Sequence, residues 1–123
     1  MLFTLLLNII NIAIGLTARS NRSVREMISV HDCAYVIRTK DGKRGRRYIF
    51  RKGSYSSDTV LADCDLALVF ESADIGFRTL ALGGPTGMTK AMNNFELTLV
   101  GNKNIFTFFA VIIGISMGMI KRS

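Results

Sequence analysis

The chain has 123 residues, 49% of them hydrophobic and 20% charged, with a formal net charge of +7. That length supports a single domain, 1–123, and a mean hydropathy of +0.30 requires apolar surface to be hidden in a core, a partner, a lipid or a bilayer. One histidine and two cysteines, Cys33 and Cys64, with no CxxC pair exclude a four-ligand zinc site. Neither metal nor cofactor is expected, and the cysteines read as buried thiols of a reducing, cytoplasmic compartment.

Residues 1–30 read as N-terminal helices. In Met1–Leu16 the polar residues Thr4, Asn8 and Asn11, with Gly15, recur at spacings of four, three and four, which puts them on one stripe of an otherwise apolar helix. The run is shorter than the about 20 residues a bilayer span needs, and it lacks the basic start of a signal peptide. Burial in a core or against a partner is the first reading, contact with a membrane interface the second, and a span or signal the third. Ser23 and Glu26 have capping-box spacing, so a short helix is expected from Val24 to about Val30.

A hairpin follows. Tyr35, Ile37 and Thr39 alternate with Val36, Arg38 and Lys40, Asp41-Gly42 marks a turn, and Arg46–Arg51 returns. A loop of two or four residues keeps Tyr48 and Phe50 on the face of Tyr35 and Ile37 and sets Arg47 and Arg51 beside Arg38 and Lys40. Eleven of the sixteen basic residues lie between Arg19 and Lys52. The basic face reads as solvated, or as a contact for an anionic membrane through Arg38, Lys40, Arg47 and Arg51. Nucleic acid is disfavoured, because single-strand binders interleave aromatic and basic groups on one surface. Tyr55–Ser57 suggests a short third strand.

The next strand signal is Leu61–Phe70, with Ala62, Cys64, Leu66, Leu68 and Phe70 on one face and Asp63 and Asp65 beginning the other. Ser72 is placed to cap a helix Ala73–Leu82, Gly83-Gly84 stops it, and Pro85 opens a second helix to Met92 in which Met88 and Met92 are neighbours. A strand Phe95–Val100 and a Gly101–Asn102 turn close the unit.

Lys103–Ile120 reads as an apolar helix with one stripe of Ile105, Phe108, Phe109, Ile112 and Ile115 and another of Ala110, Gly114 and Gly118. A helix apolar all round must be covered on every side. Leu5, Ile9, Ile12 and Leu16 form a ridge that matches the small-residue stripe, so a subunit contact, with a homodimer as first guess, is expected. A two-span membrane protein fits less well. Both apolar runs are short, and the basic residues after each would lie on opposite sides of the bilayer. Catalysis finds no constellation: His31 and Asp32 are chain neighbours that point apart, Asp63 and Asp65 start a strand, and Gly83–Met88 lacks a P-loop lysine. An enzyme is not expected.

The order strand, two helices, strand and apolar helix, with Ala62, Asp63, Leu66 and Leu68 in an Ala-Asp-x-x-Leu-x-Leu pattern and a later strand ending at Gly101-Asn102, resembles the sterol carrier protein type 2 family over roughly residues 32–104. Asn102 stands where that family has aspartate. The resemblance implies an α+β fold, a curved, mainly antiparallel sheet of about five strands with helices over one face. It also implies a non-catalytic hydrophobic cavity for a sterol, fatty acyl or isoprenoid lipid. Face parity then nominates Phe70, Phe77, Leu80, Met88, Met92, Phe95, Leu97, Phe108, Phe109 and Ile112 as its walls, with residues 105–121 as the C-terminal helix. The rival reading is a structural interaction module or membrane-associated accessory protein whose apolar surface is filled by a partner subunit, with no ligand.

Overall fold

The computed structural model describes residues 2–118, apart from the side chain of Pro85. Five strands, β1 (Cys33–Thr39), β2 (Gly45–Arg51), β3 (Ser54–Asp58), β4 (Leu66–Phe70) and β5 (Leu97–Gly101), form one sheet in the order β3-β2-β1-β4-β5. All neighbours are antiparallel except the parallel pair β1 and β4. The α+β architecture expected from the sequence is therefore present, as a mixed, mostly antiparallel sheet.

The first hairpin keeps the parity that its side chains demand. Tyr35 pairs with Tyr48 and Cys33 with Phe50, and the register leaves four residues between Thr39 and Arg44, whose backbones bond at 3.0 Å. The strand signal at Leu61 begins late: β4 starts at Leu66, because Asp63 takes a positive φ of 54° and turns the chain. Leu66, Leu68 and Phe70 face the helices as expected. Cys64 does not: it packs with Leu61 against Val36, Ala67 and Val69 on the opposite face. The segment before β4 thus folds back over the outer face of the sheet, so β4 is buried on both sides.

Helix α1 (Leu2–Ser20) lies over the β2–β3 side of the inner face and touches α2 (Arg22–Ser29), α3 (Ala73–Phe77) and α5 (Phe106–Ser116). Asn21, not Ser23, caps α2 by accepting from the Val24 N–H at 3.0 Å, while Glu26 pairs with Arg22 at 3.5 Å. The helix starts one turn-edge earlier than the capping-box spacing suggested, and Asn is as good a cap as Ser. Ser72 caps α3 as its position predicted, accepting from Ile75 N–H. The helix continues as a π-turn, Arg78–Leu82, then a 3-10 turn, Gly84–Thr86, and α4 (Gly87–Asn93). The last helix is likewise preceded by a 3-10 turn, Lys103–Ile105, which the side chain of Asn102 caps through Asn104 N–H. Asparagine therefore does the capping at this position. The part of the expected C-terminal helix beyond Gly118 lies outside the described residues.

One core joins the inner face of the sheet to the helices. It includes Phe3, Leu7, Ile10, Tyr35, Tyr48, Phe50, Phe70, Phe109 and Ile112, each at most 2% exposed. Buried tyrosines reach polar partners across it, as aromatic hydroxyls must in an apolar layer. Tyr35 donates to the Ile105 carbonyl at 2.8 Å and Tyr48 to the Leu7 carbonyl at 3.0 Å, tying the sheet to both terminal helices.

Candidate functional site

The layer between sheet and helices has two unlike halves. Over β1 and β2 it is filled by aromatic rings. Tyr35 stacks on Phe109 at 4.2 Å, Phe50 meets Phe108 edge-on at 5.4 Å, and Tyr48 lies 5.5 Å from Phe109. His31 stacks on Phe108 at 4.0 Å, and its Nδ1 lies 2.8 Å from the Met27 carbonyl. Asp32 accepts instead from the Lys52 N–H, so the two neighbours serve separate partners rather than a dyad.

Over β4 and β5 the layer is looser. Phe70, Leu80, Ala91 and Leu97 are buried, but Ile75, Phe77, Met88, Met92 and Leu99 are only partly covered. The roof here is the crossover from α3 to α4. Its π-turn brings the Thr79 carbonyl against α4, where a Cβ on Gly83 or Gly87 would lie 2.5 or 2.8 Å from that oxygen. Glycine at both positions is what allows so close an approach. A cleft of about 270 Å³ opens over this crossover, where Ile75, Leu82 and Ala91 share the lining with Arg78, Lys90 and Glu96; Leu82 is 73% exposed, and none of the nominated wall residues lines the cleft.

The nominated wall residues divide accordingly. Phe108, Phe109 and Ile112 lie in the closed aromatic half. Phe70 on β4, Leu97 on β5 and Leu80 of the π-turn are buried, Met88 and Met92 are partly covered on α4, and Phe77, at the end of α3, lines a cleft with Leu2 and Phe3 of α1; all belong to the same apolar cluster. Phe95 stands apart: it turns the chain into β5 with a φ of 60° and is 84% exposed, because β5 begins two residues after the point at which the alternation placed it. Sequence parity missed Phe3, which lies 6.1 Å from Phe70, and the aromatic pair Tyr35 and Phe50 as parts of the same layer. Their spacing was legible, but only the sheet order brings them under the helices.

On the basic hairpin face Lys40 and Arg51 are exposed, and Arg38 and Arg47 are half-buried. Arg47 makes two hydrogen bonds to Asp58, at 2.9 and 2.6 Å, and donates to the Ala62 and Asp63 carbonyls, pinning the segment that folds over the outer face. Arg38 donates to the Thr39 carbonyl and Lys40 pairs with Glu71 at 3.7 Å, while Arg51 stays exposed. Asp65, rather than Asp63, has the structural role in the Ala-Asp pattern. Its carboxylate accepts from Ala34 N–H at 2.7 Å and its carbonyl from Asn102 N–H at 2.8 Å.

The two free thiols lie on opposite faces of the sheet, and burial raises the pKa of both, so each stays a thiol at neutral pH. Burial likewise holds Tyr35 and Tyr48 neutral. Among the described residues no group of three His, Cys, Asp or Glu is arranged to hold a metal ion. What this layer offers is apolar contact area, partly exposed at the methionine-bearing crossover.

No family model matches the sequence, and no curated protein matches it. The fold is nevertheless of the type found in sterol-carrier-like domains. A solved structure described as "UbiJ-SCP2 Ubiquinone synthesis protein" superposes with a TM-score of 0.65 over 93% of this chain and 94% of that one, at 11% sequence identity. At that identity the likeness is one of fold.

Proposed function

We propose that this protein is a non-catalytic lipid-binding domain that holds the apolar chain of a sterol, fatty acyl or isoprenoid lipid between β4–β5 and the α3–α4 crossover. The observation that carries this reading is the contrast within the layer: a buried, ring-stacked half beside a half whose Phe77, Met88 and Met92 are only partly covered. Methionine side chains adapt to irregular apolar shapes, and a π-turn flanked by glycines is a weak place in a roof. A long chain displacing Leu82 and the two methionines would gain contact with Phe70, Leu80 and Leu97 at little cost in native packing. The structural neighbour supports the class, and its description makes an isoprenoid quinone a sensible first probe. The stacked aromatic half favours a second reading, in which the layer is simply a filled core and the exposed surface serves a partner.

The deciding experiment is organic extraction of the purified chain with mass spectrometry of the extract, followed by displacement of a fluorescent lipid. A co-purifying lipid with a long apolar chain is expected. Met92→Ala should shift the affinity for the fluorescent lipid. Absence of co-purified lipid and of fluorescent-lipid binding, together with a loss of about 2–5 kcal/mol in Met92→Ala, would assign the layer to a filled core.

A further inference from the structure

Helix α1 presents two apolar faces, and the fold uses only one. Phe3, Leu6, Leu7, Ile10 and Ile14 are buried against the sheet and its helices. Leu2, Leu5, Ile9, Ile12 and Leu16 are 44–61% exposed, and their spacings of three and four residues align them in one straight ridge about 21 Å long. The ridge does not meet the Ala110 and Gly114 stripe in this chain, since it points to solvent. Singly exposed leucines mean little; five in a line on one helix mark a surface made for contact.

The surroundings of the ridge identify the partner. Along one flank the polar stripe of α1 is bonded to arginines of the first hairpin: Arg44 Nη1, from its loop, donates to Thr4 Oγ1 and Arg46 Nη1, from β2, to Asn8 Oδ1, both at 3.2 Å. Arg19 lies at the far end, one turn beyond Leu16. The helix itself contains no acidic residue. Carboxylates near Arg44 have cationic partners or neighbours of their own: Asp74, in the cleft shared by Leu2 and Arg44, pairs with Arg78 at 3.4 Å, and Asp41 and Glu71 line a second cleft with Arg44 and Lys43, Glu71 pairing with Lys40 at 3.7 Å. A groove of about 540 Å³ runs between Ile12, Leu16 and Arg19 and the exposed serines Ser54 and Ser56 of β3, with room for polar headgroup atoms beside the apolar ridge.

We propose that α1 seats this protein on a bilayer carrying anionic headgroups, with the ridge in the acyl boundary and Arg19, Arg44 and Arg46 at the phosphates. An apolar helix face bordered by cations is the pattern of an interfacial helix, which sinks its ridge roughly 5–10 Å below the headgroups. A second copy of the chain fits less well. It would bring an identical cationic flank, and a strip one helix wide falls short of the roughly 800 Å² that each partner buries in a standard interface. The docking is independent of any lipid carried inside, because the ridge residues take no part in the inner layer.

The test is flotation of the full chain with vesicles of phosphatidylcholine alone and with added phosphatidylglycerol, at low and high salt. Binding to the anionic vesicles is expected, weakened by salt and by Arg19→Gln with Arg44→Gln. The triple variant Leu5→Gln, Ile12→Gln, Leu16→Gln should lower it at least about tenfold. Those side chains are exposed, so circular dichroism and the extracted lipid should not change. Unaltered flotation of the triple variant, or equal binding to both vesicle types, overturns the proposal. So does a parent that sediments as a dimer without vesicle binding while the triple variant sediments as a monomer, which would assign the ridge to a second copy.

Discussion

Arg47 lies on the sheet face that alternation assigns to it, and the tertiary structure supplies its partners there. Alternation puts it on the outer face of the sheet, and there Asp58 and two carbonyls of the following segment take four of its five N–H donors. The guanidinium holds the Asp58 carboxyl below its usual range through hydrogen bonds. A depressed folded-state pKa contributes stability above the unfolded value of 3.8, and that contribution is lost as pH falls through the folded value. Asp58→Asn should therefore flatten the acid limb of stability below about pH 4 in urea titrations taken across pH. Tyr48 is the other informative residue. Removing its hydroxyl in Tyr48→Phe should cost about 1 kcal/mol in urea denaturation, the worth of one buried hydrogen bond to the α1 backbone.

Among the elements, the junction of β4 and β5 depends on a close approach of backbone to backbone. Gly101 has a φ of 119°, and a Cβ there would run into the Asp65 carbonyl, the same oxygen that accepts from Asn102. Gly101→Ala should destabilise the chain by roughly 1–3 kcal/mol and loosen β5 first, seen as faster amide exchange from Leu97 to Val100. The crossover between these strands behaves in the opposite sense. Its π-turn, its glycines and its half-covered methionines leave it less buried than β4.

For the protein as one body, α1 has a double role: half of its circumference closes the core, and the other half lies bare beside a line of arginines. Two neighbours in sequence separate those roles. Ile10 is fully buried and Ile9 is 44% exposed. Ile10→Ala should cost about 2–5 kcal/mol of unfolding free energy, and Ile9→Ala well under half as much, in parallel denaturant titrations. In vesicle flotation the order should reverse, with Ile9→Ala the more damaging to docking. The excess of apolar residues that the composition demands be hidden is then divided between a core and a surface contact.

Local rules determined much of this protein. Period-two alternation gave the hairpin faces and the even loop, Ser72 and the glycine pair gave the bounds of the first crossover helix, and the strand–helix–helix–strand order pointed to the sterol-carrier type of fold. These features depend on neighbours a few residues away, so they can be read in a linear chain. The parallel pairing of β1 with β4, the refolding of residues 61–65 over the outer face and the exposure of Phe95 depend on which strands become neighbours, and a periodic pattern contains no such information. The division of α1 was settled the same way. Its sequence is apolar around most of the circumference, so only the position of the sheet, with Tyr48 bonded to Leu7 and the arginines bonded to Thr4 and Asn8, decided which leucines are core and which are left at the surface.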